Sequence, residues 1–494
     1  MKSISIQQLL SWLTGATLHS KLHVSLKKTS YGVNTDTRTL RTNNIFVALK
    51  GERFDGHRFI GFAARNQAAL ALVNYDSEES VKQTANEMPF ICVADTGLAL
   101  QQLAAGYRRQ FCLPLAIVVG SNGKTTTKEM LNSIFRSHLM IQGNERAVHS
   151  TAGNFNNDIG LPLTLLKLND YHRLSVIELG MNHPGETAQL ASVAAPTIAI
   201  INNAQREHQE FMHTVEAVAQ EHCAVIPALA SEGIVVLPAQ DTYVKIWRDC
   251  AANHQKKVID FALHINGDIT PALVTGEIQT VDDNPIVQTV KINTPLGMAH
   301  IKLNIAGEHH VRNALAATAA AVAANIPLSS IILGLQAFEP VKGRMQPHRI
   351  TVLNDAHNIQ LIDDTYNSNP DSVIAAIDML SCIKKLHTRS VLVLGDMGEV
   401  GDQGIHFHTE MGLYAATKGI SVLYTVGDLM KHAHNAFKNS TNNRDKYMQH
   451  FANTAELQTA LLAKQTLCTN DTVLIKGSRF MRMEFIVDAL LNKN

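Results

Sequence analysis

Residues 115–126, LAIVVGSNGKTT, indicate the architecture of this chain. Leu115–Val119 is apolar and largely β-branched, as in a strand that is buried inside a parallel sheet. A helical pattern begins at Lys124, directly after the glycines, and continues to about His138. A strand, a glycine loop and a helix in this order predict a parallel α/β sheet that binds phosphate at the loop.

The loop between this strand and this helix has the pattern G-x-x-G-K-T-T. Its glycines let the backbone approach a phosphate closely, and the first N–H groups of the helix point at the same place. Lys124 is expected to reach the β- and γ-phosphates of ATP, and the Thr125 hydroxyl is expected to ligate Mg²⁺. Val118 takes the place of the first glycine in the longer form of this motif. The predicted ATP-binding residues here are Gly120, Ser121, Asn122, Gly123, Lys124, Thr125 and Thr126.

The composition limits the classes to which this protein can belong. Its 494 residues are too many for one hydrophobic core, so about two to four domains are expected. Lys plus Arg and Asp plus Glu both number 43, and this lack of a basic excess argues against a nucleic-acid partner. The six cysteines form no C-x-x-C pair, which argues against a zinc or disulfide framework. With no signal peptide and no apolar run long enough for a membrane span, the sequence predicts a cytoplasmic protein.

The pattern of strands and helices divides the chain into three blocks, predicted as domains at 1–112, 113–342 and 343–494. In the second and third blocks strands alternate with helices, which indicates α/β folds with parallel sheets. Short alternating strands at 272–305 predict a β-rich insertion in the second block. Two prolines and a glycine at 340–347 predict a hinge about which the third block moves.

Two residues that can bind a metal follow strands of the second block. Glu178 is near the end of the strand expected at Ser175–Leu179, and His208 comes shortly after the strand expected at Thr197–Asn202. Because the carboxyl ends of parallel strands meet at one edge of a sheet, both should lie beside the glycine loop. With Thr125, they predict a site for divalent cations. A helix-capping glutamate and a surface histidine are the alternatives for each residue taken alone.

Residues 151–160, TAGNFNNDIG, concentrate short polar side chains. Asn154 and Asn157 could donate hydrogen bonds to a carboxylate or a phosphate of a substrate. The same residue types also build turns for purely local reasons. The sequence leaves both roles open for this segment.

Further segments occur in the order that one protein family has. They are DTR at 36–38, IFVALKGERFDGH at 45–57, GEHHVRNAL at 307–315, GR at 343–344, DDTYNSNP at 363–370, GDMGE at 395–399 and KGSR at 476–479. With the glycine loop, Glu178 and His208, these segments resemble the Mur ligase family over nearly the whole chain. The resemblance implies an ATP-dependent amide ligase of three α/β domains: an N-terminal uridine-nucleotide domain, a central P-loop ATPase domain and a C-terminal Rossmann-like domain.

The resemblance also implies roles for residues outside the glycine loop. Asn313 and Asp364 fall where the family contacts the nucleoside of ATP, and Arg344 falls where a second positive charge near the phosphates is expected. The implied catalytic residues are Lys124, Glu178, His208 and Arg344. The implied substrate contacts are Thr37, Arg38, Asn154, Asn157, Tyr366 and Asn369.

The third block indicates which branch of the family is nearest. YNSNP at 366–370 with GDM at 395–397 resembles the branch that adds D-alanyl-D-alanine to UDP-N-acetylmuramoyl-tripeptide. The branch that adds the third amino acid usually carries an Asp-Asn-Pro-Arg motif, which this block lacks. The implied partners are therefore these two small molecules, handled by a monomer with ATP and Mg²⁺ as cofactors. Diaminopimelate and lysine are both compatible with the sequence as the third residue of the tripeptide.

Two positions depart from the family's pattern. His310 stands where the family usually has an asparagine, and an imidazole can still form a hydrogen bond there. His222 stands where related ligases have a lysine that is carbamylated and bridges magnesium ions. A neutral imidazole can bind a metal but cannot supply the charge of a carbamate. Metal binding by His222 and simple packing on a helix expected at Thr214–Leu229 both remain open.

Two other functions are compatible with the phosphate loop. Another amide ligase of the same superfamily, such as a folylpolyglutamate synthetase, should lack the segment at 36–57. A P-loop ATPase that couples hydrolysis to regulation is the alternative from a different class. A GTPase switch would need an Asn-Lys-x-Asp motif, which the sequence lacks.

Overall fold

The structure is a computed structural model of the chain and consists of three α/β domains. It describes every residue apart from Met1, Leu22, Asn86, 282–285, 352–357, 384–388, 441–445, 464–465, Thr469 and 493–494. Each domain has its own mixed β-sheet, and the three sheets follow one another along the chain.

The N-terminal domain is built on a short, mostly parallel sheet. Its described strands are β1 (Ile4–Ser5), β2 (Thr17–His19), β3 (Thr29–Ser30), β4 (Val33–Asn34), β5 (Ile45–Val47), β6 (Leu70–Asn74) and β7 (Phe90–Val93). Its described helices are α1 (Ile6–Trp12), α2 (Ile60–Arg65), α3 (Glu78–Thr84) and α4 (Thr96–Arg108). The sheet order is β2-β7-β6-β5-β4, with only the β2–β7 pair antiparallel among these, while β1 and β3 form a separate ladder.

The central domain contains the largest sheet in the described part of the chain. Its strands are β8 (Leu115–Val119), β9 (Val148–Ser150), β10 (Leu174–Glu178), β11 (Ile198–Ile201), β12 (Ile234–Pro238), β13 (Lys257–His264), β14 (Val274–Val281), β15 (Gln288–Thr294) and β16 (Gly297–Leu303). Its helices are α5 (Lys124–Ile141), α6 (Gly160–Leu165), α7 (Glu186–Ala194), α8 (Gln209–Met212), α9 (Val215–Cys223), α10 (Val244–Asn253), α11 (Glu308–Ala323) and α12 (Leu328–Gln336). The order is β16-β15-β14-β13-β12-β11-β8-β10-β9, parallel from β9 to β14 and antiparallel beyond. The predicted β-rich insertion therefore extends the parallel sheet at one edge.

The C-terminal domain repeats the α/β alternation. Its described strands are β17 (Gln346–Thr351), β18 (Asn358–Asp364), β19 (Ser390–Gly395), β20 (Val422–Val426), β21 (Tyr447–Phe451) and β22 (Thr472–Lys476). Its described helices are α13 (Pro370–Ile383), α14 (Gly404–Thr417), α15 (Met430–Asn439), α16 (Thr454–Leu462) and α17 (Glu484–Leu491). The order is β17-β18-β22-β19-β20-β21, in which β17 pairs antiparallel to β18 and the other pairs are parallel.

Side chains of β8 alternate between two hydrophobic cores. Val118 packs in the core that includes Ile134 of α5, whereas Ile117 packs in the core that includes Leu103 of α4. A strand that is covered on both faces needs apolar side chains at every position, which accounts for the apolar run in the sequence. This double packing fixes the carboxyl end of β8 and, with it, the start of the glycine loop.

Two predicted boundaries differ from the structure. The helix expected at Thr214–Leu229 is shorter and ends at Cys223. The hinge expected at 340–347 includes Gln346 and Pro347, which instead belong to β17 and pair with β18. Proline is tolerated there because β17 is an edge strand, where a missing N–H costs no ladder hydrogen bond. Of the segment predicted as a hinge, only 340–345 therefore lies outside a strand.

The sequence argues against a membrane span and against a disulfide framework. Within the described ranges, no helix combines the length and the apolar character that a membrane span requires. All six cysteines fall within the described ranges, and none of them forms a disulfide there.

Candidate active site

The glycine loop joins the carboxyl end of β8 to the first turn of α5. Gly120 and Gly123 have φ values of +135° and +79°, a conformation that glycine adopts most easily. No side chain caps the start of α5. Its first N–H groups are therefore left to an anionic ligand at the positive end of the helix.

The side chains of Asn202 and Asn313 pack at this loop. Asn202, directly after β11, donates to the carbonyl of Asn122 at 2.7 Å and to Asn313 Oδ1 at 2.9 Å. Asn202 also accepts from the Thr127 hydroxyl at 3.1 Å. Asn313 of α11 thus lies at the glycine loop, while Asn202 is a residue that sequence reasoning missed although it stands at a strand end.

Gly123→Ala is expected to lower both the stability of the chain and its affinity for ATP. A Cβ here would press on the Asn313 side chain and lie 2.6 Å from Asn202 Nδ2, at a φ of +79°. Strain and collision of this kind cost about 1–3 kcal/mol. ATP affinity should fall about tenfold or more, since a displacement costing ~1.4 kcal/mol already has that effect. Thermal unfolding and calorimetry with an ATP analogue measure the two losses.

Gly153→Ala is the matched control for this substitution. Gly153 also has a positive φ, +55°, but an added Cβ would meet nothing within 4 Å. It should therefore lose some stability through strain and keep its affinity for the ATP analogue. Equal losses of affinity in both variants would contradict the collision with Asn313 and Asn202.

The amino group of Lys124 lies at the mouth of the loop. Its Nζ donates to the carbonyl of Gly120 and, at 3.3 Å, to that of Ser121, and it lies 3.2 Å from Glu207 Oε2. The Lys124 side chain is 18% exposed, so the charge can be reached from solvent. These contacts hold the ammonium group where it can turn onto the oxygens of a phosphate.

Glu178 lies at the carboxyl end of β10 and faces the loop. Its Oε2 accepts from the Thr125 hydroxyl at 2.8 Å, and its Oε1 accepts from Asn156 Nδ2 at 2.8 Å. Its backbone N–H donates to the Thr151 hydroxyl at 2.9 Å. A buried carboxylate that is oriented by an amide and stands beside a hydroxyl is a set of hard oxygen donors, which suits Mg²⁺.

His208 reaches the same edge of the sheet from a turn. Its backbone is left-handed, with φ +46°, and it directly precedes α8. Its Nδ1 lies 2.6 Å from Glu399 Oε2 of the C-terminal domain, and this contact with His208 lowers the pKa of Glu399. A carboxylate on one ring nitrogen leaves the other free to face a cation, as is usual for histidine ligands of metals.

Glu207, which sequence reasoning missed, is a buried carboxylate next to these groups. Its side chain is 6% exposed and lies between Lys124 and the ring of His222, whose Nε2 is 3.0 Å from Glu207 Oε1. Burial raises the pKa of Glu207, but the charge of Lys124 and the contact with His222 outweigh burial and lower the pKa to about 2. His222 is itself 1% exposed and lies behind this carboxylate. The sequence feature that could have identified Glu207 as a site residue is its position beside His208, beyond the end of β11.

Asp364 and Arg344 belong to the C-terminal domain and face the glycine loop across a cleft that both residues line. Asp364 Oδ2 accepts from Lys476 Nζ at 2.7 Å. Burial raises the pKa of Asp364, although the charge of Lys476 acts in the opposite direction. The guanidinium of Arg344 lies over the ring of Tyr366, 4.1 Å from its centroid. This cation–π contact holds a permanent positive charge against the tyrosine.

Asn369 joins the C-terminal domain to the glycine loop. Its Oδ1 accepts from the backbone N–H of Ser372 at 2.8 Å in the first turn of α13. Its Nδ2 donates to Asn122 Oδ1 at 3.0 Å. Asn369 is thus both a helix cap and a direct link between two domains.

Arg206 forms ion pairs between the same two domains. Its guanidinium nitrogens lie 2.8 Å from Asp371 Oδ1 and 2.7 Å from Glu410 Oε2. Its backbone N–H donates to Asp371 Oδ2 at 2.7 Å. Because the Arg206 and Asp371 side chains are each only 21% exposed, this contact is partly shielded from water.

His310 is a buried histidine on α11. In the part of the chain that the structure describes, neither of its ring nitrogens has a hydrogen-bond partner. Burial lowers its pKa well below the usual range, so the ring is neutral. It borders the same cleft as Gln288 and His309. A neutral imidazole offers one donor or one acceptor to a ligand there.

These groups border one cleft of about 2690 Å³ between the central and C-terminal domains. Thr125 is buried, with its hydroxyl directed at Glu178. Of the predicted site residues, the cleft is lined by Ser121, Asn122, Gly123, Lys124, Thr126, Asn154, Asn157, Glu178, His208, Asn313, Arg344, Asp364, Tyr366 and Asn369.

Thr37 and Arg38 are not among the described residues that line this cleft. The Arg38 side chain is 88% exposed, and its guanidinium pairs with Asp36, 2.7 Å away. A separate substrate site on the N-terminal domain therefore stays a prediction. In the polar segment 151–160, Asn157 Oδ1 accepts from Gly160 N at 2.9 Å, which is a local turn role, whereas Asn154 is exposed at the cleft.

Three family profiles match the chain in order. "Mur ligase family, catalytic domain" matches residues 29–108, and "Mur ligase middle domain" matches residues 118–321. "Mur ligase, glutamate ligase domain" matches residues 348–479. The matched stretches correspond to the three sheets of the structure.

Named relatives match over almost their whole lengths. The UDP-N-acetylmuramoyl-tripeptide–D-alanyl-D-alanine ligase of Haemophilus influenzae is 34% identical over 465 residues, 93% of each chain. MurF from Acinetobacter baumannii, a crystal structure, has a TM-score of 0.84 at 31% identity and covers 100% of this chain and 99% of its own. The MurF ligase of Thermotoga maritima, solved in complex with ADP, shares the fold with a TM-score of 0.74 at 22% identity, covering 94% of this chain and 98% of its own.

Proposed function

Because the chain belongs to the Mur ligase family, we propose that it joins D-alanyl-D-alanine to UDP-N-acetylmuramoyl-tripeptide at the expense of ATP. The product is the UDP-muramoyl-pentapeptide used in peptidoglycan synthesis, with ADP and phosphate released. The observation that carries this function is the cleft of about 2690 Å³ that has the glycine loop on one wall and the 366–369 segment on the other. The full-length relatives favour this activity over that of another amide ligase of the superfamily.

The chemistry requires activation of a carboxylate. A carboxylate is a poor electrophile, so its oxygen first attacks the γ-phosphorus of ATP, which gives an acyl phosphate and ADP. The amine of D-alanyl-D-alanine then attacks the acyl carbon, loses a proton, and expels phosphate as the amide bond forms. Such phosphoryl transfer depends mainly on positioning and on neutralising charge.

Lys124 and Arg344 supply positive charge from opposite walls of the cleft. Lys124 turns from its carbonyl contacts onto the β- and γ-phosphates, while Arg344 stays stacked on Tyr366. Asn313, which contacts the glycine-loop partner Asn202, and Asp364 bind the nucleoside portion of ATP. Ordering of these groups before the reaction lowers its barrier because they need not rearrange during it.

Thr125, Glu178 and His208 would hold Mg²⁺. The fit rests on the oxygens of Thr125 and Glu178, which already lie 2.8 Å apart, and on the ring of His208, which Glu399 orients. When bound, Mg²⁺ supplies charge that neutralises the triphosphate. The protein's own contribution is to direct these donors to the mouth of the glycine loop.

The substrate contacts divide among the domains at 1–112, 113–342 and 343–494. Thr37 and Arg38 bind the uridine nucleotide, Asn154 and Asn157 meet the peptide at the cleft, and Tyr366 and Asn369 position the incoming dipeptide. Movement about the joint at 340–345 closes the cleft and excludes water, which would otherwise hydrolyse the acyl phosphate. The enzyme acts as a monomer in the cytoplasm, where cysteines that form no disulfide, such as those of this chain, persist.

Phosphate release by the purified protein tests this function. Release from ATP should require UDP-N-acetylmuramoyl-tripeptide and D-alanyl-D-alanine together, because the second substrate consumes the acyl phosphate. Replacement of D-alanyl-D-alanine by L-alanyl-L-alanine is the matched control and should give background release. Release that is indifferent to both substrates would instead identify a regulatory P-loop ATPase.

A further inference from the structure

The N-terminal domain contains a group of three side chains whose donor atoms can share one metal ion. One ligand atom each of His19, Glu78 and Cys92 lies within 4.8 Å of the other two. In the part of the chain that the structure describes, no other three histidine, cysteine, aspartate or glutamate side chains come this close together. The group brings a nitrogen, an oxygen and a sulfur donor to one place.

Two paired strands and one helix bring these side chains together. The edge strand β2 has only three residues and pairs antiparallel with β7. His19 lies opposite Phe90 in this pair, and Cys92 is two positions further along β7. Because side chains two positions apart on a strand share one face of the sheet, His19 and Cys92 are diagonal neighbours on the same face. Glu78, the first residue of α3, reaches the same place from the helix.

The spacing of the donor atoms fits a tetrahedral metal site. In such a site, with bonds of about 2.0–2.3 Å to Zn²⁺, neighbouring ligand atoms lie about 3.5 Å apart. His19 Nε2 already lies 3.6 Å from Glu78 Oε1. No other pair in the group exceeds the tetrahedral spacing by more than about 1.3 Å, which side-chain rotation can close. The His19 ring is also stacked on Phe90, with centroids 5.2 Å apart, and this contact fixes its orientation.

The group is open to solvent on one side and closed by the domain core on the other. The side chains of His19 and Glu78 are 27% and 24% exposed, whereas Cys92 is fully buried. A cation can therefore enter from solvent and keep a water molecule as a further ligand. Burial raises the pKa of Cys92 to about 11, so the thiol keeps its proton until a metal displaces it.

Lys82 competes with a metal for Glu78, and it has a second partner. Its Nζ lies 2.7 Å from Glu78 Oε1 and 2.7 Å from Glu79 Oε1. Because the Glu79 side chain is 85% exposed on the same helix, Lys82 can stay bound to Glu79 when Glu78 turns to a metal. The hydrogen bond from Lys82 lowers the pKa of Glu78, so this carboxylate is ionised and ready to act as a ligand.

We propose that His19, Glu78 and Cys92 bind a borderline-soft divalent cation of the Zn²⁺ class, with water in the fourth position. A thiolate with an imidazole favours such a cation over Mg²⁺, which prefers oxygen ligands. On binding, the Cys92 thiol releases its proton to solvent and its sulfur forms a bond to the metal. The metal then links α3 to β7 and to the short edge strand β2. This site lies on a different domain from the glycine loop and is independent of the ligase reaction.

A titration of the full chain with Co²⁺ tests the proposal. A thiolate bound to Co²⁺ gives a charge-transfer absorption band in the near ultraviolet, which oxygen ligands do not give. The wild type should show this band with saturation at one Co²⁺ per chain, and Zn²⁺ should displace the Co²⁺. Cys92→Ser should lose the band, and its Zn²⁺ affinity should fall by more than the roughly 10- to 100-fold that loss of a mere supporting contact costs. Absence of the band in the wild type, or an equal band in Cys92→Ser, would overturn the proposal.

Two further variants make this test specific. Cys250→Ser is the matched control, since it removes another thiol that lies near an imidazole, 3.8 Å from His254 Nδ1, and it should keep the band. If Cys92→Ser does not fold, His19→Gln replaces a ligand that is partly exposed, and it should weaken Zn²⁺ binding while circular dichroism stays unchanged. Zn²⁺ bound with wild-type affinity in His19→Gln would count against the site.

The competition by Lys82 gives an opposite expectation. Lys82→Met should tighten Zn²⁺ binding about two- to fivefold, because the ammonium group that occupies Glu78 is removed. Saturating Zn²⁺ should raise the unfolding temperature of the wild type and leave that of Cys92→Ser unchanged. Weaker Zn²⁺ binding in Lys82→Met would contradict ligation by Glu78. These measurements need no turnover, so their outcome is separate from that of the phosphate-release assay.

Discussion

Lys124→Ala is expected to abolish ligase turnover while binding of a uridine nucleotide persists. The amino group of Lys124 lies at the mouth of the glycine loop, and no other lysine is among the described residues that line that loop's wall of the cleft. Loss of a charge that stabilises the transferred phosphoryl group should reduce kcat by roughly 10²- to 10³-fold or more. The uridine-nucleotide site is predicted on another domain, so calorimetry with UDP should report near wild-type affinity.

Lys124→Arg is the matched variant for this prediction. It keeps the positive charge beside Glu207, so the fold should be as stable as in the wild type. The longer, planar guanidinium should misplace the charge at the phosphates and leave only partial activity. If Lys124→Ala loses both turnover and UDP binding, the variant is misfolded or the prediction of separate sites for ATP and the uridine nucleotide is wrong.

Glu178→Ala is expected to remove the dependence of nucleotide affinity on Mg²⁺. The substitution takes away the carboxylate that the Thr125 hydroxyl contacts at 2.8 Å, and with it the anionic donor of the proposed metal site. Turnover should fall by roughly 10²-fold or more, because the charge of the triphosphate is then poorly neutralised. Calorimetry with ADP at zero and saturating Mg²⁺ measures the effect, and affinities that still differ as in the wild type would refute the assignment.

Asn156→Ala provides a graded comparison with Glu178→Ala. Asn156 donates to the other oxygen of the same carboxylate, at 2.8 Å, and so orients Glu178 without touching the metal. Loss of such a supporting contact costs about 10- to 100-fold in metal affinity. Saturating Mg²⁺ should therefore restore turnover in Asn156→Ala and not in Glu178→Ala.

The positions of residues that follow a local pattern were predictable from the sequence. The glycine loop and its helix follow from residues 115–126, and the parallel sheet brings Glu178 and His208 to that edge as a strand-end rule requires. For Glu207 the sequence offered only its position beside His208, beyond the end of β11. Its burial against Lys124 and His222 depends on where α9 packs, which no spacing in the sequence reveals.

Sequence patterns also could not predict the contacts between domains. Pro340–Pro347 reads as a hinge because prolines and glycine disfavour regular structure, yet pairing with β18 places the last two residues in a strand. Asn369 was predicted only as a substrate contact, whereas the structure adds a helix cap and a bond to Asn122. Both outcomes depend on partners that are distant in the sequence. Secondary-structure propensity carries no information about such partners.

The ion pairs of Arg206 couple the position of the C-terminal domain to the electric field of the cleft. When that domain moves as proposed above, the carboxylates of Asp371, Glu410 and Glu399 should leave the edge of the glycine loop together. Arg206 would then be unpaired, and the open cleft should attract an approaching triphosphate over about 8 Å at physiological salt. This attraction should weaken as ionic strength rises.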